Sequence, residues 1–269
     1  MEDRVQAFLL KAPPQTISAP CANSDLDRHI ERYCTLIKLE QYAEAHAALQ
    51  NEKALSAEQK CRLRAAISKQ YLYAQELEWS GHGVWKSFRF WSLAEKVEYL
   101  HWANELVRSL KKITPYVTFG FGSVLGFVRE NDFIPHDDDM DLLVALPATE
   151  SSTFAEAKKL LMDHVAREGF NVYNENMTHF TSERVDVFIG FIESNESVSW
   201  FPSKSGNLKL TDVFPTSTIE ILKVPVEIPG KPEHYLEVTY GPNWRDPDSN
   251  WKHPWDQGQY RKYRIGEKA

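Results

Sequence analysis

The chain of 269 residues has no apolar run near the roughly 20 residues that a membrane-spanning helix needs. Its longest early apolar cluster, Phe8-Leu9-Leu10, is too short for a secretory-signal core and runs into the proline-containing stretch Lys11 to Pro20. A cytoplasmic protein with no membrane span is therefore expected. Cysteine is scarce. Cys21, Cys34 and Cys61 follow no metal-ligand spacing, which excludes a disulfide framework and fits free thiols in a reducing compartment. A basic surplus is also missing. Lys and Arg total 31 against 38 Asp and Glu, a net charge of −7, and this balance argues against nucleic acid as a partner. An acidic chain that handles phosphates needs a metal ion or a local basic site. No repeat period is visible.

Apolar and aromatic residues are plentiful enough, at 42% and 12%, to exclude a disordered chain. The first part is helical in character. Leu26, Ile30, Tyr33 and Ile37 recur at helical spacing, and Tyr42 to Gln50 is an Ala-rich second segment. Ser56 and Gln59 form a capping-box pattern, and Leu63, Ile67, Ala74 and Leu77 then extend one apolar stripe. A loop with Gly81 and Gly83 follows. This reading gives an all-helical N-terminal extension over 1–85. It either packs on the rest of the chain or serves as a surface for a protein partner.

The second domain, 86–269, opens on a helix. Ser92 and Glu95 form another capping box, ahead of a buried face of Val97, Leu100, Ala103, Val107 and Leu110. Strands are predicted over Tyr116–Phe121, Asp139–Ala145 and Arg184–Phe191. Helices are predicted over Val124–Glu130, through Phe154, Ala157, Leu161 and Val165 up to Gly169, and from Pro232 to near Gly241. The fold class is α+β, a small sheet with packed helices.

The chemistry concentrates in His136-Asp137-Asp138-Asp139-Met140-Asp141. On a strand, Asp139 and Asp141 face the same side. Two unit charges about 4 Å apart repel by about 4 kcal/mol at a surface-like dielectric, so such a pair invites a divalent cation. Oxygen ligands suit Mg²⁺. The bland alternative, a solvated acidic turn, is weakened because the run leads straight into Leu142-Leu143-Val144. An EF-hand reading fails, since Leu142 and Ala148 stand where that loop needs Gly and Glu. Asp186 sits alone between Val185 and Val187. It is either an edge-strand charge that deters aggregation or a third site carboxylate converging from a neighbouring strand. Upstream, Gly122 and Ser123 begin a helix whose first amides would favour phosphate. Arg129 suits either a phosphate or the carboxylates.

Two longer stretches carry a resemblance. Phe119-Gly120-Phe121-Gly122-Ser123-Val124-Leu125-Gly126-Phe127-Val128-Arg129 is followed by Phe133-Ile134-Pro135-His136-Asp137-Asp138-Asp139-Met140-Asp141, and a Tyr240-Gly241-Pro242-Asn243-Trp244 segment closes the pattern. Together they resemble the LicD/fukutin family of phosphotransferases, over roughly Leu93 to Pro247. Val124 replaces a common Leu, and His136 stands where Trp is frequent. The resemblance implies a nucleotidyltransferase-like fold and transfer of a phospho-alcohol, such as phosphocholine or ribitol phosphate, from a CDP-linked donor to a glycan acceptor. It implies Asp139, Asp141 and Asp186 as catalytic residues and ligands of Mg²⁺ or Mn²⁺, with Asp186 alternatively the base for the sugar hydroxyl. Gly122, Ser123 and Arg129 would hold the donor phosphates. Asp137 and Asp138 are approach residues, and His136 is either an added polar contact in the site or a simple variant. Tyr240 and Trp244 line a pocket or anchor the core. The tail, with Trp251, Trp255, Tyr260, Arg261, Lys262 and Arg264, is either solvated or an acceptor surface. The competing readings are a nucleotidyltransferase that moves NMP from an NTP, and a non-enzymatic binding protein that uses the helical prefix.

Overall fold

The computed structural model describes residues 25–149, 153–173, 177–200, 207–247, 260 and 262–263, with side chains from residue 30 onward. Phe8-Leu9-Leu10, the stretch from Lys11 to Pro20, Cys21, Trp251, Trp255, Arg261 and Arg264 lie outside the described residues, as does the Leu26 side chain. The chain divides into two compact units, Met1–Phe90 and Trp91–Ala269.

The first unit contains α1 (Asp25–Lys38), α2 (Tyr42–Gln50) and α3 (Ala57–Ile67). Helical spacing carries Ile30, Tyr33 and Ile37 of α1 into one core with Leu49, Leu63, Ile67 and Trp79. The Ser56–Gln59 capping box is present. The expected stripe breaks at Ala74, whereas Leu77 is half-buried and packs against this core. After Ile67 the chain widens into a π turn over Ser68–Leu72 and then tightens into a 3₁₀ turn over Tyr73–Gln75. Ala74 is exposed, and Leu72 fills the core in its place. The cause is a return contact, in which the Ser68 hydroxyl accepts from the Trp79 amide at 2.8 Å. Trp79 belongs to a short hairpin, β1 (Glu78–Trp79) paired with β2 (Val84–Trp85), so the unit is helical but not all-helical. Buried Glu78 accepts from Ser87 at 2.7 Å, Tyr73 at 2.9 Å and Arg89 at 3.3 Å, which satisfies its charge.

The second unit begins with α4 (Leu93–Leu110), capped by the Ser92–Glu95 box. It buries Leu100, Ala103, Val107 and Leu110, while Val97 is half-buried. The remaining elements in chain order are β3 (Val117–Phe119), α5 (Phe121–Glu130), β4 (Met140–Pro147), α6 (Phe154–Arg167), β5 (His179–Ser182), β6 (Val185–Ile192), β7 (Ser197–Trp200), β8 (Leu208–Lys209), α7 (Leu210–Val213), β9 (Ser217–Ile221), β10 (Val224–Ile228) and α8 (Pro232–Tyr240). The main sheet runs β3-β4-β6-β7-β8, with β5 also on β6. Among the described residues, only β4 and β6 pair in parallel, joined by the crossover through α6. Buried on both faces, β4 reads as the continuous run Leu142 to Ala145. The mixed α+β class stands.

Helix α5 starts at Phe121, three residues before the predicted Val124. The β3–α5 corner is tight. A Cβ on Gly120 would lie 2.3 Å from Leu143 Cγ, so only glycine fits there. Near the C-terminus, Tyr260 and Tyr263 are buried, with ring contacts to Phe154 and, for Tyr263, to Phe191. Lys262 pairs with Glu193 at 2.6 Å. The described part of the tail is therefore packed rather than solvated.

Candidate metal centre

The parallel pairing of β4 and β6 sets Asp141 directly opposite Asp186. Partners in register share a face, so both carboxylates sit on one side of the sheet, where the two strands begin. Asp139 lies two residues before Asp141, just ahead of β4. The carboxylates of Asp137, Asp138 and Asp139 have ligand oxygens within 4.8 Å of one another. The structure thus gathers Asp137, Asp138, Asp139, Asp141 and Asp186, drawn from one loop and two strands.

Asp141 is held by the start of α5. Its Oδ2 accepts from the Gly122 amide at 2.9 Å, and the Ser123 hydroxyl accepts from the Asp141 amide at 2.8 Å. The Gly120 amide donates to the Asp141 carbonyl at 3.0 Å. The amides expected to face phosphate therefore cap a protein carboxylate, at the electropositive end of the helix. Glycine at 122 has a steric reason, since a Cβ there would lie 3.0 Å from Asp137 Oδ2 and 3.3 Å from Asp141 Oδ2. Phe121 takes φ +36, a region that side chains rarely adopt, and its amide donates to the Tyr235 hydroxyl at 2.9 Å.

Electrostatics separate this cluster from ordinary surface acids. Burial, then the charges of Asp137, Asp141, Asp186 and Asp138, push the Asp139 carboxyl well above the usual carboxylate range. Burial, then Asp137 and Asp186, push Asp141 up as well, against the pull of the Gly122 and Ser123 amides. A positive charge placed beside them would favour the ionised form of both carboxyls. An all-oxygen donor set of this kind fits Mg²⁺ or Mn²⁺.

The other candidate residues divide. Tyr240 is half-buried beside the cluster. Burial, Tyr235, Asp141 and Asp137 raise its hydroxyl well above the ordinary range, and Arg129 opposes them. Arg129 is thus within electrostatic reach of Tyr240, while its Nε donates to Glu130 at 2.7 Å. His136 is exposed. Trp244 is buried, with the Arg245 guanidinium 4.2 Å over its ring, which suits a core anchor better than a pocket wall.

Sequence reading missed four contributors. The Thr181 hydroxyl donates to Asp186 Oδ1 at 2.6 Å, and His179 Nε2 lies 3.6 Å from Asp186 Oδ2. Tyr235 supports Phe121 as above. The Tyr99 hydroxyl donates to the Arg184 carbonyl, which also accepts from the Met140 amide. A signal for the first two was present. His179, Thr181 and Asp186 fall on one face once β5 and β6 are read as a hairpin turning at Glu183-Arg184.

No curated protein matches the chain. A family profile does: the one described as LicD/FKTN/FKRP, nucleotidyltransferase domain, matches residues 117–231. Among the described residues, no helix is long and apolar enough to cross a membrane.

Proposed function

We propose, from the premise that this chain belongs to the LicD family, that it is a metal-dependent phosphotransferase acting in glycan modification. The reaction moves a phospho-alcohol group from a CDP-linked donor to a glycan hydroxyl. The family domain supports a transferase role of the phosphotransferase type. The observation that carries the finer reading is the register of Asp141 against Asp186, with Asp139 two residues away. Asp139, Asp141 and Asp186 would hold Mg²⁺ or Mn²⁺. A bound cation of that kind supplies charge neutralisation for the donor diphosphate and the departing nucleotide.

The chain's own groups do the positioning. Gly122 and Ser123 fix Asp141, and Thr181 fixes Asp186. Ser123 uses an acceptor lone pair on the Asp141 amide, so its hydroxyl keeps a hydrogen to give to a donor phosphate. Arg129 adds a cation for the same phosphates. Asp186, oriented by Thr181 and His179, completes the metal shell or takes the proton of the attacking sugar hydroxyl. Surface-polysaccharide precursors in the cytoplasm are the proposed setting.

The test is incubation with CDP-choline, CDP-ribitol or CDP-glycerol plus Mg²⁺, with acceptor-dependent CMP release as the readout. Pyrophosphate release from an NTP, without CMP release from any CDP-alcohol, would replace this reading with nucleotidyl transfer. Full activity in an Asp139→Asn/Asp141→Asn variant would sink both.

A further inference from the structure

The second unit holds a cleft of about 530 Å³ that the acidic cluster does not use. Its size is that of a small-molecule pocket. Trp102 of α4 and Phe170, just after α6, supply its aromatic surface, with ring centroids 5.6 Å apart at 76°. The rim is polar, and its charges are matched locally. Arg108 pairs with Glu105, Lys112 pairs with Glu168, and Asn171 donates to Glu183 Oε1 at 2.9 Å. Two bases against three acids leave a net −1 on the lining residues. A diphosphate donor finds no surplus cation here. Planar amide, guanidinium and carboxylate groups around an aromatic surface suit vicinal hydroxyls, and the C–H face of a sugar ring suits indole.

Position adds a second observation. Glu183 takes φ +49 in the β5–β6 turn, where glycine or asparagine would sit with less strain. Its side chain meets Asn171 at the cleft, and the same turn leads within three residues to Asp186. On the other wall, Trp102 lies one helical turn from Tyr99, whose ring stacks on it with centroids 6.4 Å apart. Tyr99 in turn bonds the Arg184 carbonyl beside Glu183. Both walls of the cleft thus run directly into the elements that carry the acidic cluster.

We propose that this cleft binds a neutral oligosaccharide, as a docking subsite for the glycan that the acidic centre modifies. The inference rests on the phosphotransferase reading for its purpose, but its binding chemistry can be tested separately. The full chain is applied to an array of neutral hexose, N-acetylhexosamine and pentose oligosaccharides beside anionic glycans. Wild type, Trp102→Ala, Asn171→Ala and Asp139→Asn/Asp141→Asn are compared, with circular dichroism to establish folding. Wild type and the double Asp variant are expected to retain neutral oligosaccharides equally. Trp102→Ala should bind about tenfold more weakly. Asn171→Ala, at an exposed position, should weaken binding without disturbing the packing of Trp102.

Failure of wild type to retain any neutral glycan overturns the site. So does equal retention by both cleft variants. A second arm measures acceptor-dependent CMP release. If the acceptor KM is unchanged in both cleft variants, the phosphotransferase stands and the cleft falls. If glycans bind through Trp102 while no CDP-alcohol yields CMP, the cleft's carbohydrate chemistry stands and the phosphotransferase reading falls.

Discussion

Two groups of partly buried carboxylates in the second unit face opposite electrostatic surroundings. Asp212 accepts from the Lys209 amide at 2.9 Å and from Lys231 Nζ at 2.8 Å. Glu227 accepts from Lys111 and from Thr216. Burial pushes both carboxyls up, but the lysines and local donors more than offset it, and both end below their ordinary range. Asp139 and Asp141 are also buried, yet their strongest neighbours are other carboxylates, and both end well above it. Within one domain, acids that only support the fold are given a lysine each. The acids at the start of β4 are packed against one another. That difference sets the acids at the start of β4 apart from those that only support the fold, and it is the contrast that the proposed cation would relieve.

The largest effect that would break this comparison concerns activity. Asp139→Asn/Asp141→Asn should lower turnover at least about a hundredfold, measured as CMP release at saturating Mg²⁺. In chelator-treated protein, Asp139→Asn alone should raise unfolding stability by about 1 kcal/mol, because it removes one charge from a repelling set. Asp212→Ala should do the opposite and cost about 2 kcal/mol, because it takes the acceptor from the Lys209 amide and from Lys231. Chemical denaturation of the two variants side by side decides the matter. If both lose stability equally, the two groups of acids do not differ in kind.

Acid titration sharpens the contrast next. Asp212 and Glu227 have folded-state pKa values below their unfolded ones. Their contribution is full above the unfolded carboxylate range of about 4 and is lost as pH falls through the folded values. Stability should therefore drop as pH falls below about 4. The slope of that drop should shrink in Asp212→Asn, as read from denaturation midpoints across the acid range. An unchanged slope would show that the Lys231 pairing contributes nothing.

How much of this was legible in the sequence depended on how local each feature is. Capping boxes are local, so Ser56 with Gln59 and Ser92 with Glu95 could be read directly. The period-two rule predicted Asp139 and Asp141 on one side, although the strand begins one residue after Asp139. Asp186 was legible as an oddity between two valines, but its register against Asp141 depends on strand pairing across 45 positions. Features made by returning chain were hidden. The Ser68–Trp79 contact turns a regular stripe into a π turn. The Tyr235 hydroxyl reaches Phe121 from more than 100 residues away. The capture of Gly122 and Ser123 by Asp141 was hidden for a different reason. A helix start that favours anions does not specify whether the anion is a substrate phosphate or a protein carboxylate.

The smallest expected effect tests how finely Asp186 is placed. Thr181→Val keeps the shape of the side chain and the pairing of β5 with β6, and removes one donor at 2.6 Å from Asp186 Oδ1. A partner that orients a ligand or a base commonly matters by about tenfold, whereas an exposed hydrogen bond of no function costs under about 1 kcal/mol of stability and no activity. Turnover in Thr181→Val should fall about tenfold with the donor KM little changed, and Thr181→Ser, which restores the hydroxyl, should recover most of it. If Asp186 serves as a metal ligand, raising Mg²⁺ should rescue the Val variant. If it takes the proton of the acceptor hydroxyl, Mg²⁺ should leave the defect in place and the pH–rate profile should shift instead. The same substitution in either case leaves Asp212 and Glu227 untouched, so any change in acid stability would mean that the two groups of carboxylates are coupled through the sheet rather than independent.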